Sequence, residues 1–317
     1  MPEGTNFADR LVTAAAAKAP VVVGIDPVYR RLPAAITEDP QFNDEYDSET
    51  ALDAILEFCR QVIRTVAPQV PAVKINSAYF ERYYGEGIEG YYQLIEEAAG
   101  HDLLVIGDVK RGDVGHSSEA YAAAHLGDPE FENLDELRPP DAVTVSGYLG
   151  LDAIEPFRKI AVEEDKGLFV LVRTSNPSAA AVQDATLDDG RRLCELIAAQ
   201  VTEWGAAPPA LVGERGYSSI GAVVAPPDRP TAARLREILD RSLLLVPGWG
   251  AQGADRDAVA ACFKPEGTGA VVSASRSVIY AYEDPDNLAA AGGDWLACIN
   301  QACTKFAAEV KALISGG

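Results

Sequence analysis

Short, β-branched apolar runs recur along the chain: VVVGID (21–26), AVKIN (72–76), LLVIGDVK (103–110), AVTVSGY (142–148), LFVLVRTSN (168–176), IGAVVAP (220–226), LLLVPGWG (243–250) and GAVVSASRS (269–277). Continuous apolar runs, rather than alternating ones, mark strands buried on both faces, as in parallel sheets. Segments of helical period lie between them. ALDAILEFCRQVIRTVA places Leu52, Ile55, Leu56, Cys59, Val62 and Ile63 on one face, and GIEGYYQLIEEAAG ends at a glycine, as helices often do. LDAIEPFRKIAVEEDKG, DDGRRLCELIAAQVTEW and RPTAARLREILD follow the fourth, fifth and sixth runs, and DWLACINQACTKFAAEVKALI closes the sequence. Eight strands alternating with helices predict an α/β fold, a closed (β/α)₈ TIM barrel, with an open doubly wound sheet as the alternative.

A single domain is expected over residues 1–317, with acidic, Pro- and Gly-containing surface insertions near 38–50, 127–140 and 282–294. The 317 residues are 48% hydrophobic, which suits one large barrel core. No apolar stretch reaches the ~18 residues of a membrane span, and LVTAAAAKAPVVVG reads as helix then strand rather than a signal peptide. Cys59, Cys194, Cys262, Cys298 and Cys303 form no paired motif and predict reduced, packed thiols in a cytoplasm. His101, His116 and His125 likewise lack metal-site spacing and read as surface or packing residues. A net charge of −21 argues against a nucleic-acid surface, which needs a basic footprint. The cations are 19 Arg against 8 Lys, a bias that fits a salt-loving host or a GC-rich genome.

Polar residues gather at the C-terminal ends of the runs: Asp26, Lys74, Asp108 with Lys110, Ser146, Thr174 to Asn176, Gln252 and Arg276. Barrel active sites are built at that face. Strand ends also meet water, so aspartate or serine alone carries little; lysines inside apolar runs are harder to explain that way. In GDVKRGDVG (107–115), strand alternation sets Asp108 and Lys110 on one face, Val109 on the other and Ile106 beneath. Gly112 is expected to free the backbone to turn, delivering Asp113 from the loop, while Lys74 adds a second cation at the same mouth.

DVKRGDVG resembles the DxKxxD signature of orotidine 5′-phosphate decarboxylases, in particular their longer (type 2) bacterial and archaeal form. VVVGIDP, VKINSAYFERYYGEG, DVKRGDVGHSSEAYA, AVTVSGYLG, LVRTSNPSA, LVPGWGAQGA and SASRSVIYA resemble that family in order, from about residue 20 to 282. The resemblance implies conversion of orotidine 5′-phosphate to UMP and CO₂ in pyrimidine biosynthesis, without metal or organic cofactor. It implies Lys110 as the cation and proton donor at C6, Asp108 against the substrate carboxylate, and Lys74 in the charge network and on the ribose. Asp26 is implied on ribose hydroxyls, and Gly250, Gln252, Ser275 and Arg276 at the phosphate, where an arginine can bind bidentately. Ser146 and Asn176 would face the pyrimidine. Asp113, with Ser117, is implied to reach a neighbouring subunit's site, hence a homodimer with shared sites. Two stretches depart from the family pattern: VSGY has serine where the long form has asparagine-proline, and AVVAPPDRP lacks a glycine after its valines.

Two other readings compete. Magnesium-dependent sugar-phosphate decarboxylases or synthases of the same superfamily share DxKxxD but need an acidic ligand where this chain has Lys74, which repels a divalent cation. A non-catalytic nucleotide-phosphate binding barrel has no need of an ammonium set against C6.

Overall fold

The computed structural model describes residues 5–134, 137–249 and 255–315. Its eight strands are β1 (Val21–Ile25), β2 (Ala72–Asn76), β3 (Leu104–Arg111), β4 (Ala142–Ser146), β5 (Gly167–Arg173), β6 (Ser218–Val224), β7 (Ser242–Pro247) and β8 (Ala270–Ala274). Each pairs in parallel with the next, and β8 pairs with β1, closing the barrel and excluding the open sheet. All eight apolar runs became strands. Among the described residues, no helix is long and apolar enough to cross a membrane.

Period-two alternation divides the strands between two cores. Val22, Ala72, Leu104, Ile106, Ala142, Phe169, Leu243, Leu245 and Val271 form the inner cluster with Phe7, Ala8 and Leu11. The latter three belong to the helix Phe7–Ala17, whose Phe7 ring meets Phe169 edge-on at 6.0 Å and plugs the N-terminal end of the barrel. Intervening residues such as Val21, Val23, Val73, Ile75, Val105 and Val143 belong to the outer cluster beneath the helices. The helix Ser48–Val66 buries its predicted stripe there, Ile55, Cys59, Val62 and Ile63 included, and Asp47 caps it by accepting the Thr50 N–H at 2.8 Å. Full burial of each large aliphatic side chain contributes about 1.5–3 kcal/mol.

Read up the strands, the inner positions change from apolar to polar: Val22–Gly24–Asp26, Ala72–Lys74–Asn76, Leu104–Ile106–Asp108, Ala142–Thr144–Ser146 and Val271–Ser273–Ser275. A plugged apolar lower barrel and a polar upper mouth follow from that gradient.

Several local expectations are corrected. The helix Gly115–His125 has no counterpart in the hydrophobic pattern because it buries only Ser118 and Ala122 and carries no apolar stripe. Residues 188–192, expected as helix, form a turn, and the helix runs Leu193–Ala206. The acidic segments are exposed over most of their described residues, but Pro139, Pro140 and Tyr282 are buried, and 285–290 is helical. All five cysteines are buried free thiols, and burial pushes the Cys262 and Cys303 thiols up to about 12.

Candidate active site

Lys74 lies within β2 rather than at its end, and it is buried. Its Nζ contacts Asp108 Oδ2 at 2.5 Å, while Lys110 Nζ contacts Asp108 Oδ1 at 2.5 Å. The two ammonium groups flank one buried carboxylate; Lys110 is half-exposed and reaches into the mouth. Burial disfavours the Asp108 charge, yet Lys74 and Lys110 outweigh it and hold the carboxyl well below the usual carboxylate range. Burial likewise works against the Lys74 ammonium, but Asp108, then Asp26, overcome it and raise the pKa above that of a free lysine. Both shifts favour the charged forms of Asp108 and Lys74.

Simple strand alternation does not explain how Lys110 reaches Asp108. Gly107 pairs with Val143 and Arg111 with Val145, so β3 passes three residues, Asp108 to Lys110, against Thr144 alone. The extra residues are taken up in a bulge, and Lys110 adopts a left-handed backbone with φ of 46°. For a non-glycine residue that costs about 1–3 kcal/mol, a strain typical of functional positions. Thr144 spans the gap: its Oγ1 accepts the Lys110 N–H at 3.0 Å and donates to Asp108 Oδ1 at 2.9 Å.

The chain leaves β3 at Gly112, whose backbone is not left-handed. A Cβ there would come within 2.9 Å of Ser146 Cβ, so glycine lets the loop after β3 lie against the end of β4. Gly24 similarly admits Ser275, whose Cβ would lie 2.9 Å from an added methyl.

A polar cavity at the mouth is lined by Asp26, Lys74, Ser175, Ser273, Ser275 and Arg276. Asp26 Oδ1 and Ser275 Oγ are buried without a hydrogen-bond partner among the described residues. A buried acceptor and a buried hydroxyl left open on one cavity are costly unless a ligand completes them. Arg276 begins the short helix Arg276–Ile279 one residue beyond Ser275 and is exposed. A cleft at the opposite end of the barrel, between Leu11, Val12, Leu243 and Ile314, is lined mostly by apolar residues with Glu266, Thr268 and Lys311, and has none of these groups.

Other sequence candidates stand apart. Ser146 ends β4, half-buried, and Asn176 is exposed and accepts from Thr174 Oγ1 at 2.6 Å. Asp113 accepts the N–H of its neighbour Val114, and Ser117 is exposed on the helix Gly115–His125; neither joins the Lys74–Asp108–Lys110 array within the subunit. Gly250 and Gln252 lie outside the described residues. Ser175, within the Thr174 to Asn176 strand end, does line the cavity, whereas sequence reading missed Thr144 and Ser273. For Thr144 and Ser273 a signal existed: a hydroxyl two positions before Ser146 or Ser275 on the same inner face.

Comparison with known proteins identifies a family. A family model described as "Orotidine 5'-phosphate decarboxylase / HUMPS family" matches residues 21–291. A protein named orotidine 5′-phosphate decarboxylase from Caldicellulosiruptor saccharolyticus is 38% identical over 281 residues, 88% of this chain and 91% of the relative. One of the same name from Rhodopirellula baltica is 35% identical over 293 residues, covering 91% and 93%. The crystal structure of a putative orotidine 5′-phosphate decarboxylase from Streptomyces avermitilis superposes with a TM-score of 0.76 at 30% identity, covering 99% of this chain and 98% of that one.

Proposed function

This chain belongs to the orotidine 5′-phosphate decarboxylase/HUMPS family, and we propose that its reaction is the loss of CO₂ from orotidine 5′-phosphate to give UMP. The observation that carries this reading is the pair of ammonium groups on buried Asp108, one of them entering the barrel mouth. Breaking the C6–carboxylate bond leaves an electron pair in the plane of the pyrimidine, where the ring π system cannot delocalise it. Reactions this slow demand removal of a barrier on the order of 20 kcal/mol or more. A cation fixed before the reaction supplies most where charge develops, because it needs no reorganisation at the moment of bond breaking.

In this mechanism Lys110 stabilises the forming carbanion and delivers a proton from Nζ to C6; the amine is reprotonated from water afterwards. Asp108 aims Lys110 and lies against the departing carboxylate. Lys74 keeps Asp108 ionised and contacts the ribose, whose hydroxyls are met by Asp26. Ser275 and Arg276, with Gly250 and Gln252, bind phosphate, and Ser146 and Asn176 face the base. Remote phosphate binding also promotes the step at C6. The magnesium-dependent alternative fares poorly because Lys74, buried 2.5 Å from Asp108, puts a positive charge where a divalent cation would need an anionic ligand.

The active form is a homodimer in which Asp113 and Ser117 serve the partner's site. Supporting this, Val114 beside Asp113, Tyr121 on the helix that follows, and Tyr148, Leu149 and Leu151 after β4 expose apolar surface. The helices that carry or flank them are joined through Ser118 Oγ and Ala153 O at 2.6 Å.

The test is absorbance-monitored turnover of orotidine 5′-phosphate in the presence of a chelator, with UMP affinity measured in parallel. Turnover is expected to survive chelation. Lys110→Ala is expected to retain UMP binding and lose nearly all turnover. UMP binding without turnover in the parent protein would favour the binding-barrel reading, and substantial activity in Lys110→Ala would remove it as proton donor.

A further inference from the structure

Asp108 and Lys110 are held by a residue that the reaction scheme does not include. Where β3 passes three residues against Thr144, the sheet hydrogen-bonding pattern is interrupted and the Lys110 N–H needs an acceptor. Thr144 Oγ1 takes it at 3.0 Å. The same hydroxyl spends its proton on Asp108 Oδ1 at 2.9 Å, the oxygen that also holds Lys110 Nζ. Thr144 is buried, so water does not substitute for either contact. A serine or threonine hydroxyl has one proton and two acceptor sites, and this one uses them in opposite directions on the two charged residues. From this geometry we propose that Thr144 is a positioning residue: it fixes the left-handed backbone of Lys110 and the rotation of the Asp108 carboxylate together, so that Nζ meets the reacting carbon.

The inference rests on the decarboxylase reading, but its structural half does not depend on turnover. Lys74 grips the other carboxylate oxygen, Oδ2, from β2, and leaves the carboxylate free to swing about that contact if Oδ1 is released. Lys110 itself is half-exposed. Valine in place of threonine keeps shape and β-branching but removes both contacts, while serine keeps the hydroxyl and loses only a methyl. Misplacement by about 1 Å costs catalysis roughly a hundredfold. Among the described residues the side-chain hydrogen bonds of Thr144 go to Lys110 and Asp108, not to Asp26, Ser275 or Arg276, which the proposed function assigns to ribose and phosphate.

The experiment compares parent, Thr144→Val and Thr144→Ser for kcat, UMP affinity and thermal midpoint, with crystal structures of all three. Thr144→Val is expected to lower kcat by about a hundredfold with UMP affinity within about threefold, and Thr144→Ser to recover most of the loss. In the Thr144→Val crystal, Lys110 is expected to leave its left-handed conformation or Nζ to move from Asp108. An unchanged kcat and an unchanged Lys110 geometry would overturn the proposal. So would parallel loss of kcat and UMP affinity, which would mark Thr144 as a general packing residue. If the parent protein turns over no orotidine 5′-phosphate, the decarboxylase reading fails while the displaced or undisplaced Lys110 still decides the positioning role.

Discussion

Asp26 faces the cavity with an open oxygen because Tyr280 holds its backbone from behind. The Tyr280 hydroxyl accepts the Val28 N–H at 2.8 Å and donates to Asp26 O at 3.0 Å, bridging the end of β1 to the loop beyond it. Burial pushes this phenol well above its ordinary range, so it remains a donor at any working pH. Its ring stacks on Phe58 at 5.9 Å, and the Arg31 guanidinium lies 3.7 Å from its centroid, itself held by both oxygens of Glu283. Tyr280→Phe deletes one oxygen and leaves two backbone groups unmatched, a loss of about 1–3 kcal/mol in unfolding free energy by denaturant titration. If Asp26 contacts the ribose, UMP affinity falls in this variant while inorganic phosphate affinity holds. Equal losses for both ligands would make Tyr280 structural only. The sequence carried part of this: Asp26 was legible as a charge closing an apolar run. Tyr280 was not, since its partner lies 254 residues away and nothing local marks it.

At the scale of elements, the barrel was legible because each strand repeats one pattern, apolar at the bottom and polar at the top of its inner face. The bulge in β3 was not, because it is a property of pairing with β4 and not of either strand alone. The helix Gly115–His125 escaped for another reason: it is held by polar contacts instead of a stripe. At its last residue, His125 Nε2 accepts from Arg111 Nε at 3.0 Å, and Arg111 also reaches Glu81 Oε1 at 2.5 Å. That geometry requires a neutral ring. Burial first, and Arg111 second, push the His125 pKa down to about 4, overriding the opposite pull of Glu81 and the preference of a helix C-terminus for a cation. The unfolded chain, with an ordinary histidine near 6.5, therefore takes up a proton between about pH 6.5 and 4 that the folded protein refuses. Folding stability falls as pH drops through that window, by at most about 1.4 kcal/mol per unit. His125→Gln keeps an acceptor for Arg111 without the titration, and urea unfolding at pH 7, 6 and 5 should show a shallower slope than in the parent. An identical slope would place the acid sensitivity elsewhere, in groups such as Glu81.

Over the whole molecule, a net charge of −21 must still admit a dianionic phosphate ester, so attraction has to be local. The cations do converge: Lys74 and Arg276 line one cavity, and Lys110 stands beside Lys74 on Asp108. Asp113 is the acidic member of the motif that does not join them in its own subunit, and exposed apolar side chains stand on its own loop and helix and after β4. A second copy placed there by a two-fold axis would bury the same patch twice and exchange the two aspartates. Mixing Asp113→Ala with Lys110→Ala protein under conditions that exchange subunits tests this directly. Each variant alone is expected to be nearly inactive. In a mixed dimer with shared sites, one site carries both substitutions and the other neither, so random assortment restores about a quarter of parental activity. With unshared sites every site carries one lesion, and mixing restores nothing. The fraction recovered, followed by turnover of orotidine 5′-phosphate against the mixing ratio, distinguishes a site completed by its partner from one complete in a single barrel.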